Sequence, residues 1–210
     1  AVANTNNDGV VDAAAQLAWA REGLVIAETR LKQEPDRLSF QDETATTLQD
    51  VTAAADAASD TAQAIDAAKR ALEIRRKQLA ADTTNVGRQA SAVFALVSLT
   101  EVMVKMGDSG ELRQYLDEAE TLTRGLPTEV LHKHDLVSAQ IAMHAIRARL
   151  YGQDASRAAS RAARSTACRE ALREFSAVAA LRPRWEAFSK QSLEPELKPA
   201  RDAIGLCEQR

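Results

Sequence analysis

Aromatic side chains make up only 4% of this chain, and glycine and proline together supply 13 of its 210 residues. Scarce breakers, set against abundant Ala, Leu, Glu, Arg and Gln, favour helix throughout. No strand pattern appears in any segment. No run of about 18 apolar residues is present, so no segment is expected to span a membrane. A net charge of −3 argues against general nucleic-acid binding. There is no Gly-X-Ser-X-Gly, no Cys-His arrangement and no glycine-rich phosphate loop. Nucleophilic catalysis needs a Ser or Cys held by a base beside an oxyanion site. Carboxylate pairs such as Asp117-Glu118 read as exposed helix faces. The chain is therefore not expected to be an enzyme, and no cofactor is implied.

Cysteine is limited to Cys168 and Cys207. The two can pair if their Cα atoms lie within about 7 Å. The alternative is two buried free thiols. Histidine is limited to three residues, His132, His134 and His144, with Asp135 nearby. On one helix, His134 and His144 stand about 80° apart around the axis and about 15 Å apart along it. They cannot close on one ion, so no metal is expected, and His132 and His134 read as solvent-facing. The first residue is Ala1, and Ala1-Val2-Ala3-Asn4 fits a signal-peptidase cut as well as an excised piece of a larger protein. Residues 1–9 read as a linker or processed terminus. Both a cytoplasmic module and an exported chain fit.

What the chain does have is a repeat. Residues 105–122 read K-M-G-D-S-G-E-L-R-Q-Y-L-D-E-A-E-T-L, and residues 57–74 read A-A-S-D-T-A-Q-A-I-D-A-A-K-R-A-L-E-I. At an offset of 48, Gly107-Asp108 falls on Ser59-Asp60, Leu112 on Ala64, Leu116 on Ala68 and Ala119 on Ala71. Repetition at such a period is the mark of a helical array. Apolar spacing and breakers predict helices over 10–34, 38–58, 61–81, 87–106 and 109–125. A sixth opens at Pro127 and ends near Tyr151-Gly152. A seventh covers 155–181 and is broken by Pro183. A short helix follows at 185–190, then a last one over 195–208. Asp8 is a candidate cap for the first, and Asp60 or Ser59 for the third. The short loops predict antiparallel neighbours.

These residues resemble a tetratricopeptide repeat (TPR). Gly107-Asp108 match its turn, Leu116 its aromatic position and Ala119 its small packing position. Leu96, Leu99 and Met103 match the first-helix core, and Leu48, Val51, Ala64, Ala68, Ala71, Leu72 and Ile74 repeat the pattern. Residues 71–82 look like the inter-repeat segment of long-helix arrays in large bacterial regulators. The period of 48, against the family's 34, lengthens each helix by about two turns. The resemblance implies an all-α, right-handed solenoid of seven to eight antiparallel helices. It would be a single repeat domain over 10–210, with units 10–44, 45–82, 86–125 and 127–181 and a cap at 183–210. It also implies a protein–protein interaction scaffold or sensor whose concave groove holds a peptide or partner helix. Carried across, the groove residues are Gln49, Asp56, Val97, Glu101, Lys105 and Arg149. A small-molecule or peptide sensor and a closed structural bundle stand as alternatives.

Charge is uneven. Residues 1–69 hold 12 acidic and 5 basic side chains, whereas residues 154–184 hold seven Arg against three acids. Arg157, Arg161 and Arg164, spaced i, i+4 and i+7, read as one helix face, either a solvated face or one able to meet phosphate or an acidic partner. Trp19 and Trp185 read as packing residues near the two ends, and Tyr115 as lying between repeat helices.

Overall fold

Ser59 and Gly107 stand 48 residues apart and share a left-handed backbone, with φ of 62° and 112°. No other described residue does so. The structure is a computed structural model that describes residues 12–107, 110–189 and 192–208. At the first of these turns, the Ser59 amide donates to the Asp56 carbonyl and the Asp60 amide to the Ala55 carbonyl. This bond pair satisfies carbonyls orphaned at a helix end. Asp60 then caps the next helix, accepting from the Gln63 amide at 3.1 Å.

Nine helices form among the described residues, with no strand. They are α1 (Ala13–Gln33), α2 (Leu38–Ala57), α3 (Thr61–Ala81), α4 (Val86–Met106), α5 (Gly110–Arg124), α6 (Thr128–Leu131), α7 (His134–Arg157), α8 (Arg161–Phe188) and α9 (Glu194–Glu208). The described residues divide after Met106 into two compact units.

In the first unit, consecutive helices pack antiparallel. Arg30 of α1 pairs with Glu43 of α2, and Arg75 of α3 reaches Asp42 and Thr46 of α2. Leu17, Leu48, Val51, Ala55, Ala64, Ala71 and Val102 form the core. Ala at so many buried positions lets the helix axes approach closely, so dispersion contacts replace the bulk that aromatics would supply. α4 is long and apolar enough, by length and composition, to cross a membrane. Here ten of its residues, from Ala92 to Val104, are buried in the protein.

In the second unit, α7 is central, with α8 and α9 both packed along it. Val137, Ile141, Ala145, Ala148, Val178, Leu181, Trp185, Leu193, Leu197 and Ala200 close its core. Arginines tie α5 to α7. Arg147 donates to Glu120 and, at 2.8 Å, to Asp117. Arg113 holds Asp154 at 3.0 Å.

Three helix boundaries differ from the sequence reading. The predicted sixth helix is split, because Lys133 takes an extended conformation between α6 and α7. α7 then runs past Tyr151-Gly152 to Arg157. The chain turns at Ala158, and Ser160 caps α8 by accepting from the Ala163 amide at 3.1 Å. Pro183 does not break α8, which continues to Phe188 and includes the separate short helix expected at 185–190. A proline removes the hydrogen bond to the carbonyl four residues back. That carbonyl belongs to Ala179, which is exposed, so water can take the lost donor's place. Burial of Leu181 and Trp185 holds both sides of the proline in place. The expected Asp8 cap lies outside the described residues, as do Asp108, Ser109 and the expected linker. Asp12 caps α1 instead, accepting from the Ala14 amide.

Candidate functional site

α1 and α3 lie parallel, both packed against α2 but hardly touching each other. Side chains bridge the gap at two levels. Arg21 reaches Gln63 and Asp60, and Arg70 reaches Glu28. Beyond the second bridge the gap opens into a cleft of about 550 Å³. Leu31, Leu48 and Ile74 supply an apolar floor and walls, with Lys32, Glu73 and Lys77 on the rim. Glu73 accepts from Lys77 at 2.8 Å, which holds its carboxyl below the usual range. With Arg70 and Lys77 both engaged by carboxylates, Lys32 is the rim cation left without an ion pair among the described residues. A volume of this size lies within the range of ligand sites that take a few side chains or a small molecule.

The groove residues carried over from the repeat pattern fall elsewhere. Gln49 and Asp56 share a face of α2, and Glu101 and Lys105 share a face of α4. Lys105 donates to both oxygens of Asp56, at 2.6 and 2.5 Å, across a separation of 49 residues. Two of the expected partner-reading charges thus read each other. Val97 is buried, with 5% of its surface exposed, so it supports this face from below and offers nothing to a partner. Arg149 is half-buried on α7, which belongs to the second unit.

The arginine face also needs correction. Arg157 ends α7 and Arg161 opens α8, so the three residues are not spaced along one helix. The α8 face that does form is Arg161, Arg164, Ser165, Cys168, Arg169 and Leu172. It lines an open cleft of about 560 Å³ whose other wall carries Cys207. Cys168 and Cys207 are joined in a disulfide, with Cα atoms 5.6 Å apart, tying the end of α9 to α8. A smaller hollow of about 90 Å³ between α5 and α7, lined by Arg113, Arg147 and Tyr151, has room for little beyond a few waters.

Two of the three histidines contact other side chains. His134, expected in solvent, stacks on Trp185 with ring centroids 4.7 Å apart and meets the edge of Phe188. His144 Nδ1 lies 2.6 Å from an oxygen of Glu174, a carboxylate with only 8% of its side chain exposed. His132 is exposed. Trp185 is buried as expected of a packing residue, whereas Trp19 is 38% exposed. Tyr115 is half-buried on α5, its hydroxyl donating to Glu111 at 2.7 Å.

The cleft beside α1 and α3 went unread in the sequence. Its residues occupy ordinary helix-surface spacings on three separate helices. Only the packing of α1 and α3 on a common neighbour brings them together. A comparison of this chain with protein-family models, with curated proteins and with solved structures finds no match in any of the three.

Proposed function

We propose that this chain is a protein–protein interaction module of TPR-like construction, and that its first unit takes up a segment of a partner polypeptide. The observation that carries the reading is the open cleft between α1 and α3, with its apolar floor of Leu31, Leu48 and Ile74 and its charged rim. An extended segment satisfies such a cleft by seating alternate apolar side chains on the floor while its polar groups meet the rim. The uncompensated Lys32 favours a segment with an acidic residue at that end. Supporting the repeat reading, Ser59 and Gly107 share a left-handed turn at the repeat offset. So does the parallel placement of α2 and α4, joined through Asp56 and Lys105. The reading assigns no catalytic step and no cofactor to the chain.

The test is selection of peptides from a random displayed library on the immobilised chain. Selected peptides should combine apolar and acidic residues. They should lose about tenfold in affinity, or about 1.4 kcal/mol, for the Lys32→Glu/Lys77→Glu protein. Glu101→Ala/Lys105→Ala, on the other face, should change affinity by less than about twofold. Loss with the second variant alone would move the site to the α2–α4 face. No selected peptide at all would remove the interaction reading.

A further inference from the structure

The Cys168–Cys207 disulfide lines a cleft and is not sealed under the core. Both cysteines are half-buried on the walls of the opening of about 560 Å³ along α8. A thiol can therefore reach the sulfurs while the chain stays folded. Arg161, Arg164 and Arg169 share this lining, and no acid does among the described residues. Access and basic surroundings are what make a disulfide open to exchange.

The bond also joins two helices that otherwise meet little. α9 lies mainly along α7 and touches α8 far less. Its hold on α7 is one apolar stripe, Leu197, Ala200 and Ile204, with Leu193 just before the helix. Leu193, Leu197 and Ala200 share a cluster with Val137 and Ile141 of α7. The pairs Lys198–Asp202 and Arg201–Glu194 lie within α9, so they do not fasten it to a neighbour. As a helix, α9 is weak by itself. Pro199 stands in its interior and supplies no amide to the carbonyl four residues back, and Gly205 lies near its end. A few aliphatic side chains must therefore offset the ordering of 15 residues. The covalent bond adds what that packing lacks, because it keeps α9 beside α7 whenever the helix loosens.

We propose that this disulfide is a thiol-exchange site, and that its reduction by a dithiol protein unlatches α9 from α7. One thiolate of the dithiol attacks Cys207 Sγ and forms a mixed disulfide. Cys168 leaves as a thiolate, which the arginines on its side of the cleft stabilise, and then takes a proton from water. The second thiol of the reductant attacks its own sulfur in the mixed disulfide and releases Cys207. Two electrons and two protons pass to this chain, and the reductant is left as a disulfide. Opening bares Val137 and Ile141 on α7 and the apolar stripe of α9, so the oxidised and reduced chains present different surfaces. The proposal concerns the second unit and is independent of the peptide reading of the first.

The experiment is amide hydrogen exchange, read by mass spectrometry, on the full chain poised in mixtures of reduced and oxidised dithiothreitol. The bond should be reduced without denaturant at or below about 10 mM reductant. Exchange in α9 should then quicken by about tenfold or more, while α7 and α8 stay within about threefold of the oxidised chain. Reoxidation should restore the starting rates. Cys168→Ser/Cys207→Ser should exchange in α9 as the reduced chain does, with or without reductant. If that variant does not fold, the reduced natural chain carries the test alone. Three outcomes would each overturn the proposal. The bond stays intact until denaturant is added, or α9 keeps its protection once reduced, or α7 and α8 lose theirs together with α9. The last would make the disulfide a staple for the whole unit and not a latch on one helix.

Discussion

At the scale of single residues, the two left-handed positions are the sharpest link between sequence and backbone. Gly107, at φ 112°, sits where a side chain is strained whatever space surrounds it. Gly107→Ala should cost about 1–2 kcal/mol in urea unfolding. Ser59 holds φ 62° against the same preference. Ser59→Gly relieves that strain but loosens the unfolded chain, so its net effect should be within about 1 kcal/mol and on the stabilising side. Arg75 offers a different lesson. Its side chain is 9% exposed, and its Nε is buried without a partner while its other nitrogens bond Asp42, Thr46 and Gln78. Arg75→Met keeps most of the buried stem and removes the unsatisfied nitrogen, so it should cost less than about 1 kcal/mol. Arg75→Ala, which also empties the space, should cost about 2–3 kcal/mol. Equal losses in the two would mean that the polar contacts, not the packing, hold α3 to α2. The sequence identifies the left-handed turns, because Gly and Ser-Asp are turn chemistry. It gives no sign that Arg75 is buried, because its partners Asp42 and Thr46 lie on another helix, about 30 residues earlier in the chain.

Between elements, charge pairs decide which helices are fastened. Burial pushes the Glu120 carboxyl up, but hydrogen bonds and charge from Arg147, then Arg124, outweigh it and hold the group below its ordinary 4.5. A carboxyl lowered on folding stabilises above its ordinary pKa, and that stability is lost as pH falls through the folded value. The α5–α7 contact should therefore weaken below about pH 4.5. In Arg147→Met, the fall in stability between about pH 6 and pH 3 should shrink, as followed by urea midpoints at each pH. A slope unchanged by the substitution would remove Arg147 from this role. His144 and Glu174 fasten α7 to α8. Removing His144 strands a nearly buried carboxylate, so His144→Ala should cost about 2–3 kcal/mol, and adding Glu174→Gln should recover part of it. By contrast, the exposed Lys105–Asp56 pair should be worth less than about 1 kcal/mol in a double-mutant cycle. Helix existence was legible at this scale: the bounds of α3 match the sequence reading residue for residue. The α6–α7 split and the passage of α8 through Pro183 were not. Local pattern does not say whether a freed carbonyl faces water or core.

For the molecule as a whole, the disulfide sets a limit on how the second unit opens. Cys168 and Cys207 are 39 residues apart in sequence and join α8 to the last helix. Closing a loop of that length removes unfolded-state entropy worth about 3–4 kcal/mol. Reduction should therefore lower the thermal midpoint, and amide exchange should quicken first in α9. A midpoint unmoved by reductant would show that packing of α9 on α7 suffices by itself. The charge imbalance seen in the sequence also takes on form at this scale. The acidic helix α2 spends Glu43 on Arg30 and Asp56 on Lys105. In the basic stretch, Arg169 bonds the hydroxyls of Ser165 and Thr166.

The sequence by itself determined that this chain is helical, where most helices begin and end, and where the two left-handed turns lie. Those properties depend on residues within a turn or two of one another: apolar spacing, caps, and the glycine or serine that accepts a left-handed backbone. Tertiary structure alone decided which charges meet and which stand open. Arg157 and Arg161 are four residues apart yet belong to different helices, because Ser160 caps a new one between them. Asp56 and Lys105 are 49 apart yet in contact, because α3 carries the chain back to lay α4 beside α2. The two clefts are gaps left when two helices share a neighbour or a covalent bond without packing along their full length. A gap of that kind depends on distances between helices, and neighbouring residues along the chain carry no information about it.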